Sequence, residues 1–382
     1  MSKAQRLTTW LLALLLASGG PLAAQDDPFV RCTKCKNTGA RHCPEHDDDD
    51  CELEGNAIYC SVIGLCSTCG GTGWVDCPHC ENVAVQERLA TKRELIPSLA
   101  EGVSYFEVEL GRPLMVAESP HFVLVWDVEK MKVGKKLVAG HDLLHRYVDH
   151  LERLYSDYAS ILQVEDSAFE KKSRVLVWSN FDQHREASLR YCRMAAHAGV
   201  RLMGAEPTYS VPAVKKLFAN EELLRRNIVH CATHLLLSHQ RPSHWMGKSK
   251  GGWADAGLAH WFEYRYFEIC DNYCYQESDT AAGVRAGNWK PLVRKLVAKD
   301  EAPSLAGLFQ QNTESLSLDQ HCIAFSLIDY LIALDGKQLD RLLIRLRQKV
   351  PTRDALAEIY EINPIQLQQT WRDWVLANYP AR

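Results

Sequence analysis

The chain has 382 residues, of which 46% are hydrophobic and 24% are charged. At about 150 residues per domain this length allows two or three domains, and the composition is that of a soluble globular protein, which excludes a short peptide and a largely disordered chain. The formal net charge of −4 gives no overall field for capturing nucleic acid or an anionic membrane. Cysteine is the unusual residue, because nine of the 14 lie between Cys32 and Cys80.

Residues 1–24 have the order of a secretory signal peptide. Lys3 and Arg6 give a positive start, residues 10–17 form an unbroken apolar run, and small residues precede an expected cleavage point after Ala24. The run is well short of the ~20 apolar residues of a spanning helix, so cleavage is favoured over a retained anchor. We therefore expect an exported protein, periplasmic or secreted, with no stable membrane insertion after cleavage.

The cysteine-rich segment, residues 25–82, contains an internal repeat. Aligned at an offset of 34, residues 32–46 and 66–80 share their CxxC positions, a Thr-Gly pair and a Cys-Pro. When two residues separate a pair of cysteines, both sulfurs can face one ion. Glycine permits the tight backbone turn that brings the second pair of ligands back to the first. Each copy is thus predicted to hold one structural zinc ion. The eight predicted ligands are Cys32, Cys35, Cys43 and His46 in the first copy and Cys66, Cys69, Cys77 and Cys80 in the second.

Spacing alone leaves the pairing of these ligands open. The first CxxC and the last can share an ion instead, and an exported protein can form a disulfide framework. Against disulfides, cysteines separated by two residues rarely form a strain-free bridge, and His46 in the place of a fourth cysteine indicates a metal. Cys51 and Cys60, between the copies, are candidates for a disulfide.

Residues 66–73, C-S-T-C-G-G-T-G, resemble the CxxCxGxG units in the cysteine-rich zinc-binding region of DnaJ-type chaperones. The resemblance covers about fifty residues, and the first copy departs from it with Lys-Asn-Thr-Gly. It implies zinc binding but not an Hsp70 partner, since the chain has no His-Pro-Asp tripeptide of a J-domain. Residues 25–81 carry four Lys/Arg and eleven Asp/Glu, so we expect no nucleic-acid partner.

The rest of the chain alternates predicted strands and helices before it becomes helical. We predict a connecting segment at 83–118 with a charged helix at 87–100, strands at 121–127 and 173–179, an amphipathic helix at 143–162, and an edge strand or hairpin at 199–211. Helices are predicted at 221–239, at 252–269 and from 290 to 379. This order predicts an α+β fold, in which a small zinc-ribbon or knuckle module precedes a helix-dominated domain with a small sheet at 119–382.

Two of the predicted helices carry the most reactive residues. His230 and His234 are four residues apart, so they share one helix face and can share a metal ion. The next helix contains W-A-D-A-G-L-A-H-W-F-E at residues 253–263. An HxxxH helix followed by a Gly-Leu-Ala helix resembles the gluzincin metallopeptidases, which implies a gluzincin-like fold for residues 119–382. That family places His-Glu-x-x-His on the first helix and a glutamate just before Gly-Leu-Ala on the second.

Two departures from the family pattern affect the expected activity. Cys231 stands where the family has its general-base glutamate, and Ala256 stands where it has the third metal ligand. A metallopeptidase needs a carboxylate to take the proton from zinc-bound water, and alanine ligates nothing. We therefore expect peptidase activity to be impaired or absent, with no catalytic residue assigned.

Three interpretations of this region remain open. The first is a pseudo-peptidase that binds a protein, peptide or glycan. The second is an unorthodox metal site with replacement ligands from Cys231, Asp255, His260 or Glu263. The third treats His230 and His234 as hydrogen-bonded core residues without a metal. We favour an exported zinc-binding protein with a protein or peptide ligand and two structural zinc ions, the alternative being an active zinc metallopeptidase with rearranged ligands.

The remaining cysteines and histidines give weaker indications, and the oligomeric state is left open. Cys231 is expected to be a small buried residue rather than a thiol nucleophile. Cys270 and Cys274 are predicted to form either a disulfide or two free thiols, and the sequence indicates no disulfide partner for Cys192 or Cys322. The histidines at 141, 145 and 150 are predicted to lie on a solvated helix face, and the lysines of 132–136 on a solvated surface.

Overall fold

The computed structural model of the protein describes residues 32–46, 55–80, 82–100, 105–274, 277 and 287–381. The predicted signal peptide and Cys51 lie outside these residues. The ten strands described are β1 (Ala40–His42), β2 (Tyr59–Cys60), β3 (Trp74–Asp76), β4 (Met115–Glu118), β5 (Phe122–Trp126), β6 (Lys130–Val133), β7 (Lys136–Ala139), β8 (Ser173–Trp178), β9 (Val200–Leu202) and β10 (Thr208–Pro212).

Eleven α-helices are described alongside these strands, and the fold is α+β, as predicted. The helices are α1 (Val83–Leu99), α2 (Tyr105–Leu110), α3 (Gly140–Leu162), α4 (Phe181–Cys192), α5 (Glu221–His239), α6 (Gly252–Phe267), α7 (Trp289–Ala298), α8 (Leu305–Leu308), α9 (Leu318–Arg347), α10 (Thr352–Tyr360) and α11 (Pro364–Asn378). Within the described residues, no helix is both long and apolar enough to cross a membrane.

A six-stranded sheet forms the centre of the large domain. Its order is β2-β4-β5-β8-β10-β9, with β5, β8 and β10 parallel to one another and the remaining neighbours antiparallel. Helix α3 covers one face of the sheet, and α4 packs against the other. Strand β5 is buried throughout because both of its faces are covered, which explains its unbroken apolar sequence.

The predicted strands and helices that dominate the large domain are confirmed. The predicted strands at 121–127 and 173–179 are β5 and β8, and the segment 199–211 forms the antiparallel pair β9 and β10. The structure adds β4 in the predicted connecting segment and a β6–β7 hairpin in the lysine-rich segment. None of these strands has the long apolar run that identifies a buried strand, because each spans only four residues. In addition, β6 and β7 are largely exposed, whereas β4 is mostly buried.

The helical half of the domain is built around α5, α6 and α9. Gly257 in α6 faces α9 so closely that an added Cβ atom would lie 2.6 Å from the carbonyl oxygen of Ala324. Glycine therefore permits the two helix backbones to approach. This contact fixes α6 between α9 and α5, and α5 carries His230 and His234.

Candidate metal centres

Strands β1 and β3 join the two copies of the cysteine repeat. The Cys43 amide donates a hydrogen bond to the Gly73 carbonyl at 2.8 Å, and the Cys77 amide donates to the Gly39 carbonyl at 2.9 Å. Because β1 belongs to the first copy and β3 to the second, this antiparallel ladder exchanges their closing cysteine pairs. The predicted pairing within each copy is therefore wrong, and the exchanged pairing that spacing left open is the one present.

The first group in the exchanged arrangement, named here the outer site, consists of Cys32, Cys35, Cys77 and Cys80. The sulfurs of Cys32 and Cys77 are 3.7 Å apart, and those of Cys35 and Cys80 are 3.3 Å apart. Two thiolates on a tetrahedral zinc ion lie about 3.8 Å apart, whereas a disulfide bond measures about 2.05 Å. The outer site thus has the spacing of a metal centre, and all 13 cysteines in the described residues are free of disulfides.

The second group, named the inner site, consists of Cys43, His46, Cys66 and Cys69. The Cys69 sulfur lies 3.8 Å from Nε2 of His46. The backbone N–H groups of Cys69 and Thr68 point at the Cys66 sulfur and, against the effect of burial, lower the pKa of this thiol to about 6. The thiolate of Cys66, which is the metal-binding form, is therefore favoured at neutral pH. Burial instead raises the pKa of the Cys43 thiol in the same site to about 11.

A third group brings together the two histidines of the HxxxH helix. Helix α5 begins after Asn220, whose side chain accepts a hydrogen bond from the Leu223 amide at 3.0 Å. Nε2 of His230 and Nε2 of His234 lie 3.3 Å apart. Both side chains are fully buried. The two imidazoles thus point their Nε2 atoms at one place inside the domain.

Each of these histidines is oriented by a buried carboxylate of α6. Asp255 accepts a hydrogen bond from Nδ1 of His234 at 2.9 Å, and Glu263 accepts one from Nδ1 of His230 at 3.2 Å. Asp255 also accepts hydrogen bonds from Trp245 Nε1 and Thr313 Oγ1, both at 2.8 Å. Carboxylates in this position fix the imidazole orientation and leave Nε2 available to a metal ion.

The segment after α6 supplies two further donor atoms. Glu277 carboxylate oxygens lie 2.8 Å from Nε2 of His230 and 3.2 Å from Nε2 of His234. The Cys274 sulfur lies 2.5 Å from Oε2 of Glu277 and 4.0 Å from Nε2 of His234. We name this group the helix site; it consists of His230, His234, Cys274 and Glu277. One donor atom from each side chain lies within 4.8 Å of the others, so the group is able to hold a metal ion.

The charges around the helix site favour a cation. Burial opposes ionisation of Glu263, but the hydrogen bond from His230 and the nearby ring of His260 hold the pKa of this carboxyl at about 2. His230 and His234 likewise hold the pKa of Glu277 well below its usual value despite burial. With Asp255, three carboxylates are fully buried here. Buried charge is costly unless compensated. The buried guanidinium of Arg201, which attracts Asp255, Glu277 and Cys274, compensates part of it, and a divalent cation would compensate the rest.

The replacement ligands predicted from the sequence are not the ones in this group. Asp255 and Glu263 contact the Nδ1 atoms of the histidines rather than the side where the Nε2 atoms meet. His260 forms, with His230 and Glu263, an overlapping set of only three donors, and its Nε2 lies 3.1 Å from Nδ1 of His321. Cys231 is fully buried, as expected, and lies outside the helix-site group.

Sequence reasoning missed Glu277, and it predicted for Cys274 either a disulfide with Cys270 or a free thiol. The structure leaves both cysteines as free thiols. The one available signal was the Cys-x-x-Glu spacing, which places two donors near each other in a turn. The Glu277 amide does donate to the Cys274 carbonyl at 2.8 Å, as in such a turn.

A large cavity lies beside the N-terminal end of α5, and no residue of the helix site lines it. Its volume is about 1000 Å³. Its lining includes the exposed apolar side chains Val62 and Leu137 and the charged residues Glu129, Lys132 and Lys215. This combination of apolar surface and mixed charge is typical of a ligand-binding cleft.

The chain matches no protein-family model, and no curated protein is similar to it at a significant level. What is established is that the cysteine-rich segment and the large domain both contain groups of side chains able to hold metal ions.

Proposed function

We propose that the chain is an exported zinc-binding protein whose large domain, gluzincin-like in fold, does not hydrolyse peptides and instead binds a protein or peptide. The observation that carries this proposal is the closed set of four protein donors formed by His230, His234, Cys274 and Glu277. The export signal of residues 1–24 and the two cysteine-rich sites support the same view.

Zinc is the metal that suits the helix site best. Imidazole nitrogen, thiolate sulfur and carboxylate oxygen are its usual ligands, and it prefers four of them in a tetrahedron. A catalytic zinc ion has three protein ligands and one water position, whereas a structural zinc ion has four protein ligands. Cys274 is only 4% exposed and the other three donors are fully buried, so all four donors lie inside the domain.

Among the described residues, the carboxylates around the helix site already act as a metal donor or as hydrogen-bond partners of the histidines. A general base has to reach the metal-bound water, and the family position for that base holds the buried thiol of Cys231. The Glu277 carboxylate is itself one of the four donors. The site therefore favours a structural role for the ion.

The large cavity supports the proposed binding role. Val62 is 47% exposed and Leu137 is 66% exposed, and both line the cavity beside charged side chains. An extended peptide offers apolar side chains and a polar backbone together, which matches such a lining. We therefore place the peptide in this cavity rather than over the metal.

Metal and peptidase measurements on the full-length chain test the catalytic half of the proposal. We expect zinc at the outer, inner and helix sites and no cleavage of a broad peptide library. Cleavage that is abolished both by a chelator and by His234→Ala would contradict the proposal and support an active metallopeptidase with rearranged ligands.

Selection from a random linear peptide library tests the binding half. Peptides enriched on the wild-type protein are expected to lose binding to Leu137→Asp, because a charge is placed on the cavity wall. Leu189→Asp is the matched control, since Leu189 is 60% exposed on α4 and does not line the cavity. Equal loss in both variants, or in neither, would contradict the placement of the ligand.

A further inference from the structure

One cysteine and two histidines meet where the N-terminal segment joins the large domain. Cys60 ends β2 and lies opposite Ala117 of β4 at the edge of the sheet. His141 and His145 lie one turn apart at the start of α3. Cys60 and His145 are buried, 1% and 6% exposed, so the predicted solvated face is wrong for His145.

The donor atoms of these three residues converge. The Cys60 sulfur lies 3.2 Å from Nε2 of His141, and Nε2 of His141 lies 3.1 Å from Nε2 of His145. All three atoms lie within 4.8 Å of one another. Around a tetrahedral zinc ion the corresponding separations are about 3.5 Å for sulfur to nitrogen and about 3.3 Å for nitrogen to nitrogen. The cluster is thus close to the geometry of three ligands on one ion.

The backbone fixes both sides of the cluster. The Cys60 carbonyl accepts hydrogen bonds from the amides of Ile63 and Gly64 at 3.2 and 2.7 Å. On the helix side, an added Cβ atom at Gly140 would lie 2.4 Å from the Val128 carbonyl oxygen, so α3 starts in close contact with the preceding chain. The donors are therefore held in place by neighbouring structure, which lowers the cost of binding an ion.

One side of the cluster borders an open space. His145 lines a cavity of about 490 Å³ together with Asp142 and Asp149. On another side, His145 and the buried Lys92 line a small cavity. The lysine charge opposes a divalent cation, and only three protein donors are present. Binding here should consequently be weaker than at the four-donor sites.

We propose that Cys60, His141 and His145 form an additional, exchangeable metal site for a borderline divalent cation such as Zn²⁺ or Co²⁺. Binding transfers the Cys60 thiol proton to solvent and forms a sulfur–metal bond, with the two Nε2 lone pairs as the other protein ligands. The remaining position faces the cavity and takes water or an anionic ligand. The ion links β2 to α3 through these ligands. The proposed site does not depend on the peptide-binding role proposed above.

Cobalt titration tests the site directly. The full-length chain is purified with zinc under reducing conditions, treated with a weak chelator to remove exchangeable metal, and titrated with Co²⁺. We expect one equivalent to bind with a near-ultraviolet thiolate-to-cobalt band. Cys60→Ser should abolish the band, and His145→Gln should weaken binding at least about tenfold. If Cys60→Ser fails to fold, the weaker cobalt binding of His145→Gln still tests the site.

Three controls separate this site from the others. Cys192→Ser removes a buried thiol elsewhere and should leave the titration unchanged, as should His197→Gln at an exposed histidine. Zinc retained after chelation should be equal in the wild type and in Cys60→Ser. The proposal is overturned if the wild type takes up no Co²⁺, if the band persists in Cys60→Ser, or if mass spectrometry of the native protein finds Cys60 bridged to Cys51.

Discussion

Nε2 of His230 and Nε2 of His234 lie 3.3 Å apart, the separation expected for two imidazoles on one tetrahedral zinc ion, about 3.3 Å. In a metal-free core these two nitrogens would contact each other and the carboxylate of Glu277. A shared ion accounts for the convergence of both Nε2 atoms and of the Glu277 carboxylate on one place. The carboxylates of Asp255 and Glu263 hold the two imidazole rings in their orientations.

Replacement of His234 by alanine should remove the ion from the helix site. We expect the zinc content to fall by one per chain and the free energy of unfolding to fall by about 3–5 kcal/mol, because buried carboxylates lose their compensating charge. Elemental analysis and denaturant unfolding measure the two effects. The exposed His197→Ala is the control, and unchanged zinc content in His234→Ala would show that no ion is bound at this site.

Asp255 should act as a positioning residue for the same ion. Asp255→Asn keeps all four donor atoms but weakens the hydrogen bond that orients His234. We expect zinc affinity at the helix site to fall about 10–100-fold while the zinc content at saturation is unchanged. Competition with a chromophoric chelator measures the affinity, with the exposed Asp182→Asn as control. Equal affinity in Asp255→Asn and the control would exclude the positioning role.

Double substitutions test the exchanged pairing in the cysteine-rich segment. Cys35 and Cys80 belong to the outer site, so Cys35→Ser and the double variant Cys35→Ser/Cys80→Ser should each lose the same single zinc ion. Cys35 and Cys43 belong to different sites, so Cys35→Ser/Cys43→Ser should lose two. Native mass spectrometry counts the ions. The opposite result would be two ions lost in Cys35→Ser/Cys80→Ser and one ion lost in Cys35→Ser/Cys43→Ser. That result would support the pairing of ligands within each copy of the repeat.

The difference between predicted and observed pairing has a simple physical origin. Repeat spacing identifies which side chains are ligands, because two intervening residues already bring a pair of sulfurs together. It does not identify which pairs share an ion, since that depends on the ladder between β1 and β3, which connects residues more than thirty positions apart.

The same limit applies to the helix site. His230 and His234 were predictable because helical periodicity alone places them on one face. Cys274 and Glu277 reach the site through an irregular segment, whose course depends on hydrogen bonds such as those from the amides of Asp271 and Asn272 to Glu263. No local sequence pattern encodes these contacts.

Gly257→Ala should destabilise the large domain through a backbone clash. The added methyl group would lie 2.6 Å from the Ala324 carbonyl oxygen, so α6 or α9 must shift. We expect the free energy of unfolding to fall by about 1–3 kcal/mol, with zinc affinity at the helix site reduced as α6 moves. Gly307→Ala is the control, because its nearest neighbour is the Ser304 hydroxyl at 3.1 Å. Equal stability of both variants would show that the helices have room to adjust.

His184 should make the stability of the large domain depend on pH. Its Nε2 donates to the Ala198 carbonyl at 2.8 Å, so Nδ1 accepts from the Ser210 hydroxyl at 3.0 Å and the buried ring is neutral. Burial lowers its pKa from 6.5 to about 4. Above pH 6.5 the ring is neutral in both the folded and the unfolded chain, and its contribution is fully present.

As the pH falls from 6.5 toward 4, the unfolded chain gains a proton at His184 that the folded chain does not, so the folded state loses stability. A glutamine side chain in the same position cannot take up this proton. The advantage of the wild type over His184→Gln in free energy of unfolding should therefore shrink as the pH falls through this window, while the effect of the exposed Lys216→Gln stays nearly constant. Denaturant unfolding across the window measures both differences. If the wild-type advantage does not change with pH, the folded and unfolded chains take up the proton at His184 equally, and the prediction is wrong.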